Sequence, residues 1–293
     1  MDHDQTAALL LRPEERPRRA GYLNAVIGSA GHAITIIMRR KRFAMAAIVA
    51  FMPVLIPLAL AFLSKAAFAD EGNVIFVRLC EQLHMPVLAP LLALFFASML
   101  VAEDVEAGTI PYVLTHPIAR SAWVLGRFLA YLLVAVSILG ASIAMTFAAS
   151  ATLSKLSLTN ANDLLLLGHY VLVALAALAA YGALAVFLGV FTRRPIVYGV
   201  LLLYGWQKIA MIIPGVVDFL TITKYVEALY PVLATQRNVV EVQTALGTFQ
   251  KQVFAVSATR AVVMILLVTA VFLVSSIIAV RHREYGTGQA AGS

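Results

Sequence analysis

Little in this sequence can carry charge or form a cross-link. Cys80 is the single cysteine in 293 residues, which excludes an internal disulfide framework. Charged residues make up 13% of the chain against 61% hydrophobic, and the mean hydropathy of +0.89 lies far outside the balance of a soluble domain. No Gly-x-x-x-x-Gly-Lys-Ser/Thr phosphate loop, His-Glu-x-x-His helix or Gly-x-Ser-x-Gly elbow occurs, so the usual routes to nucleotide binding, zinc proteolysis and serine hydrolysis are missing. No pair of acids within an apolar run suggests an ion relay or an intramembrane protease.

What the chain does have is long apolar runs. A bilayer core takes roughly 20 apolar residues of helix, and six candidate spans fit, at about 43–63, 86–102, 122–150, 164–191, 196–214 and 260–280. The net charge of +7 could suggest nucleic acid. Its basic residues instead sit at the ends of apolar runs, where the positive-inside rule and anionic lipid explain them and nucleic acid is not needed. Basic residues concentrate before span one (Arg39, Arg40, Lys41, Arg42), after span two (Arg120, Arg127), after span four (Arg193, Arg194) and in the tail (Arg281, Arg283). With an even count of spans, both termini are therefore read as cytoplasmic.

The sequence thus predicts an all-α integral membrane protein with one membrane domain over 24–281, between a mobile cytoplasmic tail at 1–23 and a second tail at 282–293. Residues 1–22 are polar and basic and are not read as a cleaved signal. Val26, Ile27, Ala30, Ala33, Ile34 and Ile37 repeat at three and four, which predicts an amphipathic interfacial helix leading into span one. Pro53 and Pro57 in span one, and Pro86 and Pro90 in span two, predict kinks. Pro195 suits the first turn of span five. Between Gly215 and Thr259, apolar residues at helical spacing predict short amphipathic helices lying at the outer face.

The most informative stretch is "EDVEAGTIPYVLTHPIARSAWVLGRF", Glu103 to Phe128. Gly108 frees the backbone, Thr109 can cap, and Pro111 is acceptable only in a first turn, so a short helix is expected from about Ile110 to before Pro117. Glu103, Asp104 and Glu106 precede its positive end. Ser121 can cap span three, and Arg120 and Arg127 flank the membrane boundary.

The order Glu-Ala-Gly-Thr-Ile, then Leu-Thr-His-Pro-Ile-Ala-Arg, then Leu-Gly-Arg-Phe, with "FTRRP" and "LLLYGWQKIAMIIPGVVDFLTITKYVEAL" further on, resembles the permease subunits of type-2 ATP-binding-cassette (ABC-2) transporters. The resemblance covers nearly the whole chain. It implies a short cytoplasmic coupling helix between spans two and three, on which a separate ABC ATPase, two copies per complex, pushes as it closes on ATP and Mg. It also implies a second permease copy or paralogue and the cytoplasmic membrane of a prokaryote. By matching position, the ATPase-coupling interface would be Glu103, Glu106, Gly108, Thr109, Pro117 and Arg120. The chain itself would be a transport subunit without catalytic, cofactor or metal residues, most simply an exporter. Arg127 stands where the family usually has Lys, Pro111 is unusual inside the coupling helix, and Gln207 replaces the acid after Trp206. The alternative class is a non-transport membrane anchor or assembly module built on the same bundle.

Smaller signals remain. Lys208 lies inside span five, where a cation is either functional or snorkels along about 9 Å of helix toward Pro214. Gln207 beside it shares that status. Cys80, His84 and Met85 could serve a soft metal but are as readily packing residues. His169 in span four reads as buried and bonded to a neighbouring helix, and Gly182, Gly189, Gly199 and Gly205 as places of close helix approach.

Overall fold

The computed structural model describes residues 21–38, 41–63, 71–98, 100, 119–192, 194–212, 217–231, 239–244, 247–252 and 256–282. Five of its helices are long and apolar enough to cross a bilayer: Phe43–Phe62, Gly72–Ala97, Arg120–Ser150, Ala161–Phe191 and Ala258–Val280. The region expected as span five forms consecutive helical pieces, Pro195–Val200, Leu201–Trp206 and Gln207–Ile212, with Pro195 in the first turn. Its apolar helix, Pro195–Trp206, is shorter than the other five. It is called the fifth apolar helix below, and Ala258–Val280 the last span.

The first span keeps its helical course through one tight turn at Met52–Val54, where Pro53 removes a backbone donor. The second span differs from expectation, because it begins at Gly72 and not near residue 86. Arg78 and Glu81 make that segment look like a loop, but the Tyr170 hydroxyl donates to Glu81 Oε1 at 2.9 Å, so the carboxylate has a partner inside the bundle. Pro86 then sits within the helix, in wide π-type turns over Cys80–Leu88 that absorb its missing donor and its ring.

Spans three and four form the centre of the bundle. Lipid is as apolar as leucine, so helices in a membrane associate by close packing and interhelical hydrogen bonds. Both occur here: the buried Tyr131 hydroxyl donates to Leu178 O at 2.9 Å, and Gly182 makes room for that ring, since a Cβ there would lie 2.0 Å from Tyr131 Cε1. Gly199 likewise admits Leu94, whose Cδ2 would lie 2.1 Å from an added Cβ. At one end of the bundle the Gly72 amide donates to Ser154 O at 2.8 Å, and the exposed Lys155 and Glu71 pair beside it.

The segment after the fifth apolar helix departs from expectation twice. Val239–Thr244 and Gly247–Gln252 are antiparallel strands, with Val242 opposite Phe249. The period of "VVEVQT" is closer to two than to 3.6, which favours a strand over the amphipathic helix expected there. Ahead of them, a short turn at Val217–Leu220 and a helix at Ile222–Glu227 do not lie on a face of the bundle. Thr223 meets Tyr181, about 15 Å of helix from the Phe191 end of span four, while Leu229 meets His169, about 18 Å further along. The segment is therefore inserted lengthwise beside span four, with Ile222 to Val226 all buried.

Candidate functional site

Of the residues matched to the coupling interface, Glu103, Glu106, Gly108, Thr109 and Pro117 lie outside the described residues. Arg120, the remaining matched residue, is described and stands at the start of span three. Ala119 is extended and Arg120 opens the helix. Ala119, not Ser121, occupies the cap position, and it supplies no side-chain bond. Ser121 falls in the first turn, where its Oγ accepts from the Tyr22 hydroxyl at 3.3 Å. Arg120 Nη1 donates to Val280 O at 3.4 Å, joining the start of span three to the end of the last span.

The helix Tyr22–Met38 lies along this same turn of span three. Val26, Ala33 and Ile37 form its buried stripe, and the Ser29 hydroxyl donates to Trp123 O at 3.3 Å. The helices cross at Gly126, where an added Cβ would fall 2.6 Å from Ser29 Cβ and 2.8 Å from Val26 O. Arg127 is buried, with its guanidinium carbon 5.7 Å from the centre of the Trp123 ring. The sequence pattern gave the N-terminal helix but not its seat, since nothing in "SAWVLGRF" announces that Gly126 is a crossing point.

Deeper in the bundle, polar groups tie the inserted segment in place. The Thr223 hydroxyl donates to the buried Gln207 Oε1 and lies 3.2 Å from the Tyr181 hydroxyl. Gln207 thus anchors this segment, while Lys208 occupies the next position of the helix and its side chain is outside the described residues. Asp218 and Lys224 form a buried ion pair at 2.7 Å. Around it, Thr221 caps the short helix by accepting from the Lys224 amide at 3.4 Å, and Lys224 Nζ sits 5.0 Å from the centre of the Phe219 ring. Sequence reading missed this pair, because a spacing of six is not a helical one and both residues looked like outer-surface charges.

A second cluster bridges spans one, two and three. His84 is fully buried; its Nδ1 donates to Leu79 O at 3.1 Å and its Nε2 lies 3.1 Å from Ser142 Oγ. The same hydroxyl reaches Ala50 O, so its single proton is given either to that carbonyl or to the ring. Both ring nitrogens are thus committed to protein partners, and among the described residues no group of three His, Cys, Asp or Glu side chains is placed to hold a metal. Replacing His84 or Ser142 with Ala should each lower stability by about 1–3 kcal/mol, since each leaves a buried partner unsatisfied. The double variant should cost less than the sum. Thermal unfolding in detergent checks this cycle, and strict additivity would refute the bridge.

His169 is exposed where burial was expected, and its Nε2 donates to Leu229 O at 2.7 Å. Beside it the Tyr170 and Tyr230 rings lie 6.3 Å apart. Burial raises the Tyr230 phenol well above its usual range, so it stays a neutral hydrogen-bonding group.

A bundle with five helices long and apolar enough to cross a bilayer, and a further helix seated across the start of the third span, defines a multi-pass membrane protein. The model of the ABC-2 family transporter protein matches residues 35–284, and the chain belongs to that family. It is a permease component of an ABC transporter. Comparison with curated proteins gives no match.

Proposed function

We propose that the chain exports its substrate across the cytoplasmic membrane of a prokaryote, as one of two permeases driven by two copies of a separate ABC ATPase. ATP and Mg bind in that ATPase. Its closure presses on the stretch from Glu103 to Arg120, and both termini lie on the same cytoplasmic side. Residues 24–281 act as one six-span domain, with the fifth apolar helix as the fifth crossing.

One observation carries the coupling reading: the start of span three is joined both to the N-terminal helix, through Ser121, Trp123 and Gly126, and to the last span, through Arg120 and Val280. A push on the residues just before Arg120 would move these three elements together. The Arg120–Val280 bond also places the start of one span beside the end of another, as an even number of crossings requires. Few fixed charges line the spans, so the translocated compound is amphipathic or lipid-like and not a bare ion.

Glu106→Ala and Arg120→Ala test the assignment. Each should lower permease-stimulated ATP hydrolysis by roughly five- to tenfold, the low end of a typical coupling free energy, with membrane insertion unchanged. Wild-type stimulation in both variants would show that coupling runs elsewhere.

A further inference from the structure

Spans one and two part to leave an apolar slot of 210 Å³. Ala46 and Ala50 are buried at its floor, Met45 and Val49 form its exposed rim on span one, and Leu92 and Phe95 close the opposite wall. No polar surface lines it. A slot of this character stays dry, and a smaller cavity of about 150 Å³ in another protein already admits a benzene molecule. The four span-one residues sit at i, i+1, i+4 and i+5 of one helix face. Continuing that face back by one turn leads to Lys41 and Arg42, which open the same helix.

We propose that this slot is a binding site for one anionic membrane phospholipid, its acyl chain between spans one and two and its headgroup at the level of Lys41 and Arg42. The tail alone gives little selectivity, because leaving bulk lipid for an equally apolar slot gains almost nothing. Charge decides the occupant. Basic residues at the membrane surface attract anionic headgroups by roughly fivefold each, and the slot gives a chain a place to lie beneath them. Binding there requires only that the chain be embedded in a bilayer, and it is independent of whether transport occurs.

The test uses the full-length chain, with any subunits that co-purify, in mild detergent. Native mass spectrometry compares retention of phosphatidylglycerol and phosphatidylcholine with identical tails, and phosphatidylglycerol carrying a diazirine in its tail maps the contact. The expected result is one retained phosphatidylglycerol per chain, preferred by roughly twentyfold, with label on the peptides that carry Met45–Ala50 and Leu91–Phe95. Lys41→Gln with Arg42→Gln should remove the preference, and Ala46→Phe, which fills the floor, should remove the label. The mapping on wild-type protein stands even if a variant fails to fold. Equal retention of both lipids, label spread evenly over the spans, or label persisting in Ala46→Phe would each overturn the site. So would cross-linking between chains through Met45→Cys, which would mean that a second copy covers the slot.

Discussion

Replacing Lys224 with Met is expected to cost about 3–5 kcal/mol of stability, the range seen when one partner of a buried ion pair is removed. Lys224 and Asp218 are 8% and 6% exposed and 2.7 Å apart. Without the ammonium, the buried Asp218 carboxylate loses the opposite charge that balances it. The helix Ile222–Glu227 should then leave its seat, breaking the Thr223 contacts to Gln207 and Tyr181. A second variant separates charge from packing: Lys224→Met with Asp218→Asn should recover most of the loss, because a neutral pair of nearly unchanged volume leaves no buried charge unbalanced. Thermal unfolding of the detergent-solubilised chain measures both variants. A single variant as stable as wild type would mean that the pair is not buried.

Gly126→Leu should have the largest effect on activity among the packing changes. Its side chain would enter space held by Ser29 and the Val26 carbonyl, a backbone atom that cannot rotate away. Overpacking of this kind costs about 1–3 kcal/mol, but the greater effect is positional. The N-terminal helix must lift from span three, breaking the Ser29–Trp123 and Tyr22–Ser121 bonds. If the helix and the coupling stretch move as one body, permease-stimulated ATP hydrolysis should fall by roughly tenfold while ATPase binding persists. Gly126→Ala, with a smaller intrusion, should fall between the two. Loss of stability with stimulation intact would separate the clamp from coupling.

The sequence announced the apolar helices where no charge interrupts them. The spans expected at 122–150, 164–191 and 260–280 correspond to Arg120–Ser150, Ala161–Phe191 and Ala258–Val280. It misplaced the start of the second span because Arg78 and Glu81 mark a loop by composition, and only the Tyr170 hydroxyl, 89 residues away, explains an acid there. The inserted helix was hidden for a related reason. Burial of Asp218 and Lys224 depends on their meeting each other and on Thr223 meeting Gln207, contacts that no local period encodes. The hairpin at 239–252 was a matter of reading the wrong period. The order of residues from Glu103 to Phe128 pointed to the family, whose model matches residues 35–284. The described flank adds what order could not supply, namely which elements Arg120, Ser121, Trp123 and Gly126 touch.

Whether this chain couples to an ATPase is decided by purifying it in mild detergent from its native host, identifying the bound subunits and assaying ATP hydrolysis with and without the chain. A stoichiometric ABC ATPase should co-purify, with turnover that rises when the permease is present and falls back in Glu106→Ala. A chain that purifies alone, even after crosslinking, or an ATPase whose turnover ignores it, would rule out coupling and favour a membrane anchor or assembly module.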